Sequence, residues 1–102
     1  MRDHAQALAA FDYTKATTAA LQGSLQALNA CIECCDRYTG AQRVALHCED
    51  RDGRSARYTF EQLQAMSARL ANVLKGQGVG PGDRVAGLLP RTVELLVTIL
   101  AT

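Results

Sequence analysis

The clearest pattern in the chain is a helical apolar stripe between residues 60 and 76. Leu63, Met66, Leu70, Val73 and Leu74 recur at spacings of three and four, while Glu61, Gln62, Arg69 and Lys75 fall at positions suited to solvent. Thr59 with Gln62 three residues on predicts a capping box: the Thr hydroxyl accepts from the Gln62 amide, and the Gln62 side chain accepts from the Thr59 amide. Gly76 and Gly78 mark the end of this helix, and Pro81 bars its continuation. An earlier stripe, Leu28, Cys31, Ile32 and Cys35, predicts a core-facing helix over 25–38, with Ser24 as its cap and Gly40 beyond its end. Residues 1–24 are poorly defined. Ala5, Leu8 and Ala9 allow a turn or two of helix ending near Phe11, and Thr17, Thr18 and Gly23 interrupt any pattern beyond it. The segment is expected to lie across the surface or be partly mobile.

Two short apolar runs read as strands. Val44-Ala45-Leu46-His47-Cys48 predicts a strand over 43–49, and 55–59 predicts an antiparallel edge strand returning from it. The charged turn between them places Gly53 after Asp52, a strong hairpin signal. Residues 84–89 predict a third strand. Val85, Ala86, Leu88 and Leu89 make it apolar on both faces, as in a parallel sheet covered by helices. It is expected beside 44–48, with the 60–76 helix as a right-handed crossover. A last helix over 92–101 is capped by Thr92 and carries Glu94 near its positive end. Val93, Leu95, Leu96, Val97, Ile99 and Leu100 cover nearly its whole circumference, which requires burial on all sides. The 102 residues hold too little material for that, so further polypeptide is expected to cover it.

The predicted fold is therefore α/β: a small partial sheet, hairpin plus parallel strand, packed with helices as a piece of a larger structure. Residues 1–24 form an ill-defined leader and 25–102 the organised unit. Alone, its open sheet edge and greasy final helix predict self-association or a loosely ordered C-terminus.

Composition changes this picture little. One domain fits the length, and 48% hydrophobic with 21% charged residues argues against disorder. A net charge of +1, with no basic block, excludes a nucleic-acid or anionic-membrane surface. No uninterrupted apolar stretch comes after Met1-Arg2-Asp3-His4, so a secretory signal is not predicted. The Val93–Ala101 run is about half the ~20 residues of a membrane span. A cytoplasmic location is expected.

Cys31, Cys34, Cys35 and Cys48 raise a metal or disulfide reading. Disulfides do not suit that compartment, and Cys31-x-x-Cys34 lies among helix formers rather than in the tight turn of a zinc knuckle. His47 and Cys48, adjacent in a strand, point to opposite faces. Buried, inert thiols are the better reading, and a small metal-binding or interaction module stays the alternative from another class. The Gly-rich stretch 78–82 succeeds a helix and opens a strand, the reverse of a phosphate cradle.

Taken in order, Tyr58-Thr59-Phe60, Leu63, Ser67-Ala68-Arg69-Leu70-Ala71, Gly78-Val79, Gly82-Asp83-Arg84-Val85-Ala86, Leu89-Pro90 and Glu94 resemble the N-terminal segment of AMP-forming adenylating enzymes. That family includes acyl-CoA synthetases, peptide-synthetase adenylation domains and luciferases. Leu28-Asn29-Ala30, Asp36-Arg37 and Arg43-Val44-Ala45-Leu46 look more like the acetyl-CoA synthetase and medium-chain acyl-CoA synthetase branch. The resemblance implies a parent in which a carboxylate attacks the α-phosphate of ATP with Mg²⁺, and the acyl-adenylate is passed to the CoA thiol. An amino-acid adenylation domain, delivering to a carrier-protein thiol, is the alternative within the family. The family's Ser/Thr/Gly-rich loop ending in Lys has no counterpart here, where Lys15 and Lys75 are the only lysines. No catalytic, cofactor-binding or metal residue is therefore assigned, and the isolated stretch is expected to be silent. Asp83 and Arg84 are read as a turn acid and a strand-entry base, and Glu94 as a helix-terminus acid. The expected partners are the rest of the synthetase and, for the parent, a carboxylic acid.

Overall fold

The computed structural model describes residues 3–102; Met1 and Arg2, part of the N-terminus read above, lie outside the described residues. Five helices and one hairpin come in order: α1 (His4–Ala9), α2 (Tyr13–Ala20), α3 (Ala30–Cys34), a 3₁₀ turn at Asp36–Tyr38, β1 (Val44–Glu49), β2 (Ser55–Thr59), α4 (Phe60–Gly76) and α5 (Val93–Ala101).

α4 forms as its sequence dictates. The Gln62 amide donates to Thr59 Oγ1 at 3.3 Å, and Gln62 Oε1 accepts from the Thr59 amide at 2.8 Å. At the other end the Gly78 amide donates to the Lys75 carbonyl and the Val79 amide to the Leu74 carbonyl, a Schellman closure with Gly78 at φ 87°. The buried stripe differs in two respects: Ser67, outside the expected stripe, is fully buried alongside Leu63, and Val73 is 59% exposed.

The hairpin also forms. Asp50 Oδ1 accepts from the amides of Asp52 and Arg54, and Gly53 at φ 79° completes the turn. β1 and β2 pair antiparallel from Glu49↔Ser55 to Val44↔Thr59, with a bulge between Val44 and Leu46. His47 is exposed and Cys48 half-buried, as their adjacent positions require.

Two predicted elements are corrected. The helix expected over 25–38 begins only at Ala30, because Asn29 rather than Ser24 caps it, Oδ1 accepting from the Ile32 amide at 3.1 Å. It breaks at Cys35 (φ −131°, ψ −66°), and Leu28 and Ile32 stay exposed at its start. The strand expected over 84–89 is not formed. Among the described residues the sheet has two strands, and none of residues 84–89 takes part in a backbone hydrogen bond. The parallel pairing with 44–48 and the crossover built on it are absent, because the run lies beside α5 rather than along a strand edge: a side chain at Gly87 would meet Thr98 and Leu89. Residues 3–24, which carried no clear pattern, hold the two short helices α1 and α2, capped by Asp3 and Asp12.

The core is small. Cys35, Leu63, Val93 and Val97 are fully buried, with Leu46, Tyr58, Phe60, Met66, Leu70, Leu96 and Leu100 packed around them. α4 against α5 is the principal helix contact. The radius of gyration is 17.4 Å, where a compact domain of this length has about 13 Å. Among the described residues no helix is long and apolar enough to cross a membrane.

Candidate functional site

Three side-chain arrangements and one uncovered surface are candidates. The first lies where α3 meets α4. Cys31 Sγ is 3.6 Å from Asp36 Oδ1 and 3.8 Å from Ser67 Oγ, at the wall of an open cavity of about 580 Å³ bounded also by Gln64, Ala71 and Leu100. Ser67, 3% exposed, returns its hydroxyl to the Gln64 carbonyl at 3.0 Å. Burial, the neighbouring Asp36 and the Cys34 thiol raise the Cys31 thiol, against a smaller opposing effect of the Ser67 hydroxyl. Burial likewise pushes Cys35 up to about 11, with its thiol donating to the Phe60 carbonyl at 3.5 Å. Neither is a ready thiolate, so nucleophilic and metal chemistry are both disfavoured there. Cys34 is exposed and Cys48 sits on β1. Among the described residues no group of three or more His, Cys, Asp or Glu side chains could hold a metal ion.

The second arrangement was not visible in the helical pattern, which gave Glu61 to solvent. Its Oε1 accepts from the amides of Gly40 (2.7 Å) and Gln42 (3.1 Å), while Oε2 is shielded and has no partner. Its own amide in the first turn of α4, outweighing a partial desolvation, and those two amides hold the carboxyl down at about 2. The carboxylate clamps the loop that enters β1, in which Gln42 takes φ 51° and Gly40 φ 100°. The Arg43 guanidinium covers the rings of Tyr38 and Phe60 at 5.6 and 5.7 Å and donates to the Tyr38 carbonyl. The one signal in the sequence was Gly40 placed ahead of a first-turn acid.

Glu33 does the same for the leader. It accepts from the amides of Gln22 and Gly23, which pull its carboxyl below the usual range, and it pairs with Arg37 at 2.9 Å. Arg37 in turn donates to the Ala20 carbonyl. The i,i+4 pair of Glu33 and Arg37, like its hold on residues 20–23, escaped the helical pattern.

Asp83 closes the Gly80-Pro81-Gly82-Asp83 turn, its amide donating to the Gly80 carbonyl and its Oδ2 accepting from the Gly80 amide at 2.8 Å. Arg84 is exposed and enters no strand. Glu94 is held below its usual range by the Thr92 hydroxyl and its own helix-terminal amide, although Thr92 makes no capping bond to the α5 backbone. All of these contacts are architectural. The surface still open is the run from Arg84 to Pro90, every residue of which is exposed, Leu88 completely so (103%).

The chain matches the family model for the AMP-binding enzyme over residues 34–102. It is similar to acetyl-coenzyme A synthetases of Burkholderia thailandensis (43% identical over 77 residues) and Burkholderia mallei (44% over 77 residues), each alignment covering 72% of this chain. It spans only 12% of the length of those relatives. It is also similar to the crystal structure of Brucella canis acyl-CoA synthetase, with a TM-score of 0.92 and 51% identity over 99% of this chain and 19% of that one.

Proposed function

We propose, from the premise that the chain belongs to the AMP-binding enzyme family, that it supplies the N-terminal scaffold of an AMP-forming acyl-CoA synthetase. In the proposed reaction of the whole enzyme, a carboxylate attacks the α-phosphate of ATP, and an acyl-adenylate forms as pyrophosphate leaves. The CoA thiol then attacks the acyl carbon and AMP departs. ATP, Mg²⁺ and CoA would be bound by residues outside this chain. The names of the relatives favour a CoA acceptor over a carrier-protein thiol and a short acyl group such as acetate, and a cytoplasmic setting suits those substrates. The observation that carries the reading is the match to the Brucella canis synthetase over nearly the whole of this chain, leader included. The exposed run 84–90 supports it, since a surface apolar on both sides fits burial within a larger sheet. Without that cover the same surface favours self-association.

A chimera tests this. The 102 residues replace the matching portion of the Brucella canis enzyme, and carboxylate-dependent release of pyrophosphate is measured. Activity within about tenfold of the parent is expected, and a folded but dead chimera would contradict the reading. The 102-residue chain given ATP, Mg²⁺, CoA and acetate should release none, because its side chains offer neither an activated nucleophile nor a phosphate cradle.

A further inference from the structure

We propose that, when the 102-residue chain stands alone, the run Arg84–Pro90 pairs with the same run of a second copy as an antiparallel β-ladder whose two-fold axis passes through Gly87. The surface is the one read above as covered by the rest of a synthetase, and the occupant named here is the one available in its absence.

Three observations carry the pairing. Residues 84–89 make no backbone hydrogen bond, so their amides and carbonyls are open to a partner. The run is apolar where a ladder would form: Val85, Ala86, Leu88 and Leu89 are all exposed. The sequence is also complementary to itself. About an axis at Gly87, Val85 faces Leu89 and Ala86 faces Leu88, a large residue opposite a smaller one on each face. Glycine opposite glycine at the axis leaves room for close backbone approach. Pro90, which has no amide, ends the ladder opposite Arg84. Electrostatics do not oppose it. The two Arg84 groups lie six residues apart along the ladder, about 20 Å at ~3.3 Å per residue, well beyond the screening length of about 8 Å. Leu88, 103% exposed, rests on nothing in its own chain and is the anchor offered to the partner.

Light scattering after size exclusion, over a wide concentration range, tests it. The unaltered chain should pass from monomer mass to twice that mass as concentration rises. Leu88→Lys should weaken the association about tenfold or more, since two ammonium groups would then sit roughly 7–8 Å apart on one face. Gly87→Pro, which removes an amide at the axis, should do the same. Val73→Lys changes another exposed apolar residue, on α4, and should leave the assembly intact. Far-ultraviolet circular dichroism shows whether each variant keeps its helices; Leu88 touches no core residue, so that variant stays readable if Gly87→Pro does not. A monomer at every concentration overturns the pairing, as do masses indifferent to Leu88→Lys or an equal loss with Val73→Lys. None of those results would disturb the chimera test, which reads the parent reaction instead.

Discussion

The helix stretch 59–79 and the run 84–90 are both rich in apolar residues, yet they obey different masters. In the first, every instruction is local. Thr59 and Gln62 cap each other, Gly78 closes the far end, and Leu63 is left only 2% exposed. In the second, the residues are those of a strand buried on both sides, but among the described residues no neighbouring strand receives them. A helix satisfies its backbone within itself, whereas a strand borrows its hydrogen bonds from elsewhere in the chain or from another chain. The two stretches should therefore answer mutation in opposite ways.

The largest effect belongs to the helix. Leu63→Ala removes the centre of a core that, among the described residues, has four fully buried hydrophobic members. It should cost about 2–5 kcal/mol, enough to unfold a marginal chain of this size, and a urea titration followed by circular dichroism would register it. A loss below about 1 kcal/mol would mean that the α4–α5 contact is not what holds the unit together.

Next come the two ends of α4. Thr59→Ala should cost about 1 kcal/mol through the lost cap, and Gly78→Ala roughly 1–2 kcal/mol because an L side chain resists φ 87°. Thermal melts of the pair would decide whether the helix is terminated by its own sequence or by its surroundings; no change at both sites would favour the surroundings.

These elements were legible because their causes lie within four residues of one another. The hairpin turn around Asp50 and Gly53 and the turn closed by Asp83 were readable for the same reason. The rest escaped because it depends on partners distant in sequence. Glu61 looked solvent-facing on the helical wheel, but the backbone folds Gly40 and Gln42 over it. Glu33 reaches back to Gln22 and Gly23. The helix expected to start at Ser24 starts instead at Ala30, because Asn29 Oδ1 accepts from the Ile32 amide. The strand expected over 84–89 is not formed, because its apolar pattern is local whereas the neighbouring strand it needs is not, and the run lies beside α5 without a backbone hydrogen bond. The family was legible through the order of its motifs, which the family match over residues 34–102 bears out.

The Glu61 clamp makes the comparison sensitive to pH. Its carboxyl stands at about 2 in the folded chain against an ordinary 4.5, so the unfolded state takes up a proton first as pH falls. The stability it lends is present above about 4.5 and drains away between there and about 2. Glu61→Gln should flatten that part of the curve of melting temperature against pH and leave the 84–90 run unaffected. An unchanged acid limb in the variant would assign the acid sensitivity to other carboxylates, with Glu33 the next to replace.

The smallest effect is the most discriminating. Leu88→Ala deletes a side chain that its own chain does not touch, so at a concentration where the protein is monomeric its stability should move by no more than about 0.5 kcal/mol in either direction. Deleting the same atoms at Leu63 removes contacts already made in this chain; at Leu88 it removes contacts that exist only with a partner. A loss at Leu88 approaching that at Leu63, measured in dilute solution, would mean that Leu88 packs against its own chain. The two stretches would then differ in degree rather than in kind, and the run would no longer be free to receive another polypeptide.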